Sequence, residues 1–473
     1  MTYVHFIGIC GTAMATLAAL LKQRGMRVRG SDEGIYPPMS DFLEAEGIEI
    51  LPGYSADHVT QEIGLVIIGN AISRGNPELE AVLDRKIRYC SLPEAIRDHF
   101  LWGARSIVIA GTHGKTTTTA MTGWLLTSAG ADPSVLAGGV ALNFGTSGSS
   151  YRVGGGRDFV IEGDEYDSAF FDKTAKFLKY LPDIAVVGNV EFDHADIYED
   201  LDAVRLSFRR LVNLIPERGL LLLGSDSDEA MALADGARCR VETFGLGESA
   251  DWQGTATAFE RSGTRFTVRH RGRTFGSFYM PVLGAHNVKN ALAATAVASA
   301  VGIDSHAVGE AFRRFRGVKR RLEILGEIGG VTVFDDFAHH PTAVAETLRA
   351  LRQARPGARL RAVFEPRSAT ACRKVFHEQF VAAFSEADDV LIAPVYRTKL
   401  AESERLSTDS VVSDLRRCGR RARSFSGVDA IVDALVAERQ EGDAIVLMSN
   451  GGFGGINGKL LSALRAASSP EGR

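Results

Sequence analysis

Residues 107–120 read IVIAGTHGKTTTTA. Apolar, mostly β-branched residues form a strand, a glycine turn follows, and Lys115 with a run of threonines opens a helix that the pattern carries to about Ser128. Successive backbone N–H groups in such a turn, with the free amides of the helix start, cradle phosphate oxygens. In that frame Lys115 reaches the β- and γ-phosphates of a nucleotide, and Thr116 offers its hydroxyl to Mg²⁺. The full phosphate-loop pattern has a glycine five positions before Gly114, where Ile109 stands, so this loop is a shortened variant. A strand joined to a helix by a phosphate turn is the repeating unit of a parallel α/β sheet.

Toward the amino terminus a related unit appears. HFIGICGTAMATLAALLKQRGMRVRGSDE (His5 to Glu33) reads strand, glycine turn, helix and second strand, closing on Ser31-Asp32. This is the order of a dinucleotide-binding unit, with an acidic residue about 20 positions after the turn. The middle glycine of that signature is missing, because Gly8-Ile9-Cys10-Gly11 gives only G-x-x-G. Strands are expected near 4–7, 26–29, 49–51 and 65–68. After the phosphate loop they resume near 159–161, 184–187 and 220–223. Short alternating segments over 251–280 predict an antiparallel patch at a sheet edge, and AHNVKNALAATAVASAVG a helix ending at Gly302. RRFRGVKRRLEILGE (313–327) reads as a joint, beyond which strands are expected near 331–334, 360–364, 389–393 and 444–448. The boundaries are placed at 1–98, 99–318 and 319–473. The tail AASSPEGR is expected to fray.

Composition narrows the class. At 473 residues the chain is too long for one core. It is 45% apolar and 24% charged with a net charge of -4, so no basic field invites nucleic acid. The five cysteines are scattered and never in C-x-x-C spacing, which argues against a disulfide framework or zinc finger and for a reducing compartment. No apolar run approaches the roughly 18–20 residues of a membrane span, and no basic leader precedes the first strand, so a cytoplasmic protein is expected. Nothing specifies an oligomeric state. The basic runs 313–321 and 416–423 are expected to be solvated helix ends and phosphate contacts.

Further motifs sit at strand ends. DFVIEGDEYDSAFF (158–171) places Glu162 just past an apolar strand, either as a carboxylate facing Mg²⁺ or as a solvated acidic turn. VVGNVEFDHADIY (186–198) brings Asn189 and His194 to a strand end, where a metal or acid–base role competes with a structural one. GAHNVKN (284–290) offers His286, Asn287 and Asn290 to a ribose or purine, with helix capping by Asn287 an equal alternative. VFDDFAHHPTAV (333–344) ends a strand on Asp335-Asp336 and adds His339-His340. FEPRSAT (364–370) brings Arg367 out at the next strand end, suited to a carboxylate or a developing phosphate charge. MSNGGFGGINGKLL (448–461) is a second glycine-rich turn without a Gly-Lys-Thr core.

Together GTHGKTTTT, EGDEYD, NVEFDH, GAHNVKNALAA and DDFAHHPT, in this order, resemble the ATP-dependent muramyl ligases of peptidoglycan synthesis over nearly the whole chain. HFIGICGTAM and AISRGNPE resemble the members that take UDP-N-acetylmuramate. FEPRS, APVYRTK and MSNGGFGGI resemble those that add the recycled murein tripeptide L-alanyl-γ-D-glutamyl-meso-diaminopimelate, and the alanine-adding members usually show Gly-Gly at Cys10-Gly11.

The resemblance implies an α/β chain of three domains. A Rossmann-like amino-terminal domain holds the UDP-sugar through Gly8, Cys10, Gly11, Thr12, Asp32, Ala71 and Ile72, with Asp32 near the far end of the pocket. A central phosphate-loop ATPase-type domain with a mostly parallel sheet binds ATP through Gly111, Thr112, His113, Gly114, Lys115, Thr116, Thr117, His286, Asn287 and Asn290. Arg321 and Asp336 join them from a Rossmann-like carboxyl-terminal domain. Thr116, Glu162 and His194 hold Mg²⁺, and Lys115, His194, His340 and Arg367 act in catalysis. Several members carry a carbamylated lysine after the His194-type motif, but residues 181–288 contain no lysine. The implied reaction forms an amide carbon–nitrogen bond through an acyl phosphate. Free L-alanine is the alternative acceptor. A nicotinamide-dependent oxidoreductase is suggested by the opening turn alone and leaves the Gly-Lys-Thr loop unexplained. A non-catalytic nucleotide sensor would bind ATP without turnover.

Overall fold

The computed structural model describes residues 3–37, 39–195, 197–396 and 400–468. Most of the tail expected to fray and residues 397–399 of the APVYRTK run lie outside them.

Three large sheets follow one another along the chain. The first has five parallel strands in the spatial order Glu49–Pro52, Arg27–Asp32, Tyr3–Ile7, Leu65–Ile68 and Tyr89–Ser91. The second has ten. Its order is Arg273–Met280, Gly263–His270, Trp252–Glu260, Arg240–Gly245, Leu220–Gly224, Ile184–Val187, Arg105–Ala110, Asp158–Glu162, Ser134–Ala141 and Ser149–Arg152. Its pairings are parallel except among the first three strands and in the last pair, so the antiparallel patch read at 251–280 sits at an edge. The third runs Glu323–Ile328, Val331–Asp336, Ala444–Met448, Leu360–Phe364, Asp389–Ile392 and Arg421–Ser424, antiparallel only in its first pair. The chain is α/β with mostly parallel sheets, as its alternating pattern predicts.

Several strands escaped the reading. Ser134–Ala141 (SVLAGGVA) is one of them, and its Gly138 must be small: a Cβ there would lie 2.7 Å from Glu162 Oε1. Arg421–Ser424 lies in the run taken as solvated helix ends. Its arginines instead converge on carboxylates. Arg423 Nη2 is 3.2 Å from Asp389 and Arg421 Nη2 is 2.6 Å from Glu438, while fully buried Arg361 sits 3.0 Å from the same Asp389. These cations are spent on a network that only strand pairing assembles.

Strand Arg105–Ala110 lies between Ile184–Val187 and Asp158–Glu162, with Ala110 opposite Val187 and Ile109 opposite Glu162. The loops that leave all three strands therefore emerge at one carboxyl edge, where ligands of parallel sheets bind. One apolar core runs from helix Thr12–Gln23 (Leu17, Leu20, Leu21) through Ile96 and Phe100 into Phe159, Tyr180 and Phe208, so the first two sheets share a core. The third sheet's unit meets the second through Phe192 stacked on Phe376, a Thr342–Glu191 hydrogen bond of 2.7 Å, and Thr370 donating to Asp193. Among the described residues no helix is long and apolar enough to cross a membrane.

Candidate active site

The phosphate loop is held from behind. Gly111 has φ +125°, and a Cβ there would lie 3.0 Å from the Gly188 amide. The amides of Thr112 and His113 donate to the backbone and side-chain oxygens of Asn189. Gly114 has φ +81°, and a Cβ would sit 2.5 Å from Asn290 Oδ1. The loop thus takes its shape from NVEFDH on one side and GAHNVKN on the other, which is why these motifs travel together.

Helix Lys115–Ser128 starts without a side-chain cap. Lys115 Nζ donates to the Gly111 and Thr112 carbonyls and to Glu165 Oε1 at 2.9 Å. Glu165 also receives His194 Nε2 at 3.1 Å. Glu165 is therefore the residue that orients the loop lysine. The reading named it only as part of EGDEYD, because nothing in the spacing separates it from its acidic neighbours. Burial alone would push the Lys115 ammonium down, but Glu165, Asp164 and Glu162 outweigh it and hold it above its ordinary value.

Thr116 Oγ1 donates to Glu162 Oε1 at 3.0 Å, and Glu162 also receives the Gly138 amide. Burial raises the Glu162 carboxyl despite nearby Lys115. A hard oxygen pair at the phosphate-loop edge, short of positive charge, fits Mg²⁺. His194 points instead to Glu165 and Asp193 and has φ +55°, a strained backbone for a non-glycine residue.

A cavity of about 760 Å³ gathers these groups. Of the predicted nucleotide residues, Thr112, His113, Gly114, Lys115, Thr116, Thr117, His286, Asn287, Asn290, Arg321 and Asp336 line it, as do Glu162 and His194. Thr12 reaches it from the first sheet's unit, and His339, Thr342 and Glu346 from the third's.

Some of the predicted residues also serve the scaffold, and some lie outside the cavity. Gly111 lies behind the loop. Asn287 is buried, donates to the Leu283 carbonyl at 2.8 Å and accepts from Asn290 at 3.1 Å, while the helix N-cap is Gly284, so Asn287 does not cap the helix. Asp336 accepts the Leu322 and Ala338 amides at 2.7 and 2.8 Å and thereby shapes the joint. Arg320 and Arg321, read as part of a solvated run, both line the cavity, and Arg320 binds the Ser449 and Gly451 carbonyls of the glycine turn. Arg367 does not line it: its guanidinium stacks on Tyr396, 3.8 Å from the ring centre, and lies against Gly451. His340 is outside the lining too; it caps helix Pro341–Ala354 by accepting the Thr342 amide. Burial pushes the His339 and His340 imidazoles down to about 4, so both are neutral at neutral pH. Glu191 stays ionised; burial opposes this, but His113, Thr342 and His340 bring its carboxyl down to about 2.

The amino-terminal turn is also corrected. The amides of Gly8 and Ile9 donate to the Ser31 carbonyl, and that of Cys10 to Asp32 Oδ2 at 2.8 Å. Asp32 clamps the turn rather than standing at the far end of a pocket. The uncapped start of helix Thr12–Gln23 is what the turn offers an anion. Gly8 packs against Ile72, and Ala71 is exposed on the neighbouring loop.

Residues 109–298 match the Mur ligase middle domain, residues 3–101 the Mur ligase family catalytic domain, and residues 320–451 the Mur ligase glutamate ligase domain. The chain is also 41% identical to a UDP-N-acetylmuramate–L-alanyl-γ-D-glutamyl-meso-2,6-diaminoheptandioate ligase of Haemophilus influenzae, over 98% of this chain and 100% of that one. The chain belongs to the Mur ligase family. Among Mur ligases it is similar in structure to a murein peptide ligase of Psychrobacter arcticus, with 36% identity and a TM-score of 0.72 over 98% of this chain and 99% of that one. A UDP-N-acetylmuramate–L-alanine ligase of Desulforapulum autotrophicum is 33% identical over 98% of this chain and of that one. The family accounts for the three-domain α/β architecture and for ATP-dependent amide ligation.

Proposed function

We propose that this Mur ligase joins UDP-N-acetylmuramate to the tripeptide L-alanyl-γ-D-glutamyl-meso-diaminopimelate through an acyl phosphate, as part of peptidoglycan recycling in the cytoplasm. The observation that carries the acceptor is the 41% full-length identity to the tripeptide ligase, against 33% to the alanine ligase. The observation that carries the chemistry is one cavity receiving Thr12, the phosphate loop and Asp336 from three successive sheet units. The units are assigned as 1–98 for the UDP-sugar, 99–318 for ATP and 319–473 for the peptide and part of the nucleotide.

The start of helix Thr12–Gln23 receives the sugar diphosphate and turns the muramyl carboxylate toward the nucleotide. Lys115, steered by Glu165, and the amides of 112–116 take the phosphate charge that would otherwise repel that carboxylate. Thr116 and Glu162 would hold Mg²⁺, which would supply positive charge against the nucleotide's phosphates, while His194 holds Glu165 opposite Lys115. The carboxylate attacks the γ-phosphorus, ADP leaves, and the alanyl amine displaces phosphate from the acyl carbon. Arg321, rather than Arg367, faces the transferring group. Asn290 positions the loop through Gly114, and His286 sits on the nucleoside side. The polar contacts of the third unit let it close over the intermediate and exclude water.

Lys115→Ala tests the reading. Phosphate release driven by UDP-N-acetylmuramate and tripeptide is lost while UDP-sugar affinity is retained; undiminished turnover would overturn the ATP site. Phosphate release with L-alanine in place of tripeptide would move the acceptor to the alternative.

A further inference from the structure

His113, Glu191 and His340 come from three segments: the phosphate loop, the loop after strand Ile184–Val187, and the start of helix Pro341–Ala354. Ligation does not use them as a set. Yet Glu191 Oε2 lies 3.4 Å from His113 Nε2 and 3.6 Å from His340 Nδ1, and one donor atom from each of the three falls within 4.8 Å of the others. The two imidazole rings are 4.7 Å apart. The Nε2 atoms of both histidines are buried with no hydrogen-bond partner among the described residues. Such an atom carries an uncompensated desolvation cost when left unpaired. Of the two, His113 Nε2 faces the ionised Glu191 carboxylate, which His340 meets through Nδ1, so the three groups call for a shared partner.

A dication supplies one. Zn²⁺ bonds of about 2.0–2.2 Å in tetrahedral geometry place ligand atoms about 3.3–3.5 Å apart. The two distances to the carboxylate, 3.4 and 3.6 Å, match that spacing, and the histidine pair, within 4.8 Å, is brought to it by side-chain rotation. The carboxylate is already oriented, because Thr342 Oγ1 donates to Glu191 Oε2 at 2.7 Å, as an outer-shell group does at metal sites. The amide of the same Thr342 reaches His340 Nδ1 at 3.3 Å, a long bond that is cheap to exchange for a metal.

We propose that His113, Glu191 and His340 form a binding site for a transition-metal dication of the Zn²⁺ class, separate from the Mg²⁺ position at Thr116 and Glu162. Two imidazoles and one carboxylate select Zn²⁺, Co²⁺ or Ni²⁺ over Mg²⁺, which prefers oxygen. Three protein ligands leave a coordination position toward the cavity that His113 and Glu191 line. His113 and Glu191 belong to the nucleotide unit and His340 to the third. A bound ion therefore pins the third unit against the phosphate loop and opposes the opening that product release requires.

The test needs neither nucleotide nor turnover, so it stands apart from the substrate assignment. Metal-free full-length protein is titrated with Co²⁺ and read by its visible ligand-field bands. One equivalent gives the intense bands of four- or five-coordination, displaced by Zn²⁺ and not by excess Mg²⁺. His113→Gln and Glu191→Gln each weaken Co²⁺ binding about tenfold or more, and Glu162→Gln leaves it unchanged. His340→Ala does the same as the first two, but it also removes a helix cap, so His113→Gln carries the decision. Bands no stronger than those of aqueous Co²⁺, wild-type affinity in His113→Gln, or a loss confined to Glu162→Gln each overturn the site.

Discussion

Gly114→Ala probes the contact that joins the phosphate loop to the Asn290 helix. Gly114 has φ +81°, and the new Cβ would sit 2.5 Å from Asn290 Oδ1. Two costs follow. A left-handed conformation disfavours an L-residue by about 1–2 kcal/mol. Relieving the clash turns Asn290 away from Asn287 Oδ1, to which it now donates at 3.1 Å, and a hydrogen bond of that kind contributes about 0.5–1.5 kcal/mol. The sum is about 1.5–3.5 kcal/mol, or roughly 10- to 300-fold in affinity if the loop must be strained to bind. Calorimetric titration with Mg²⁺ and a non-hydrolysable ATP analogue measures it. In an Asn290→Ala background the clash is absent, so the same substitution costs only the backbone share, and the double-mutant cycle returns about 1 kcal/mol of coupling. Gly75→Ala is the control: it has φ +92° with nothing within 4 Å, and it leaves nucleotide affinity unchanged. If Gly114→Ala binds within threefold of wild type, or costs the same with and without Asn290, the packing argument is wrong.

Three further substitutions separate the roles of individual carboxylates. Glu165→Gln removes the charge opposite Lys115; breaking a buried pair costs about 3–5 kcal/mol, so kcat/KM for ATP falls about 100-fold or more in a phosphate-release assay, and a loss under tenfold would contradict the steering role. Asp32→Ala frees the amides of Cys10 and Gly34; bonds to a charged acceptor are worth about 1.5–3 kcal/mol, so UDP-N-acetylmuramate binds at least about tenfold more weakly in calorimetry while ATP-analogue affinity holds. Glu78 is fully buried and bonded to His5, Ser31 and His58. Burial raises its carboxyl, but those partners outweigh it and hold the folded value below the ordinary 4.5. Its contribution is thus complete above about pH 4.5 and fades as pH falls through the lowered value. The melting-temperature gap between wild type and Glu78→Gln narrows below that pH, and a gap that widens on acidification would refute the sign.

The reading of local chemistry went far where neighbours in sequence are neighbours in space. A strand, a glycine turn and a helix start lie within one stretch, so the strand–turn–helix frame of 107–128 could be read from residue types alone. The strand-end positions of Glu162 and Asp336 were legible for the same reason, each closing an apolar strand. Residues whose role depends on a distant partner were not. Glu165 is marked only by Lys115 and His194. Arg367 looked fit for a phosphate until Tyr396 and Gly451 claimed its guanidinium.

By itself the sequence determined the α/β class, the order of the phosphate turns and the residue types able to meet ATP and Mg²⁺, because strand period, turn chemistry and helix starts are local properties of the chain. Tertiary structure alone decided which of those residues share a cavity and which are spent on scaffolding. It placed Asp32 on the Cys10 amide, Asn290 on Gly114, and the arginines of 421–423 on Asp389 and Glu438. It also set His113, Glu191 and His340 around one point. A side chain's partner is fixed by which strands and helices pack together, and that packing joins residues up to hundreds of positions apart.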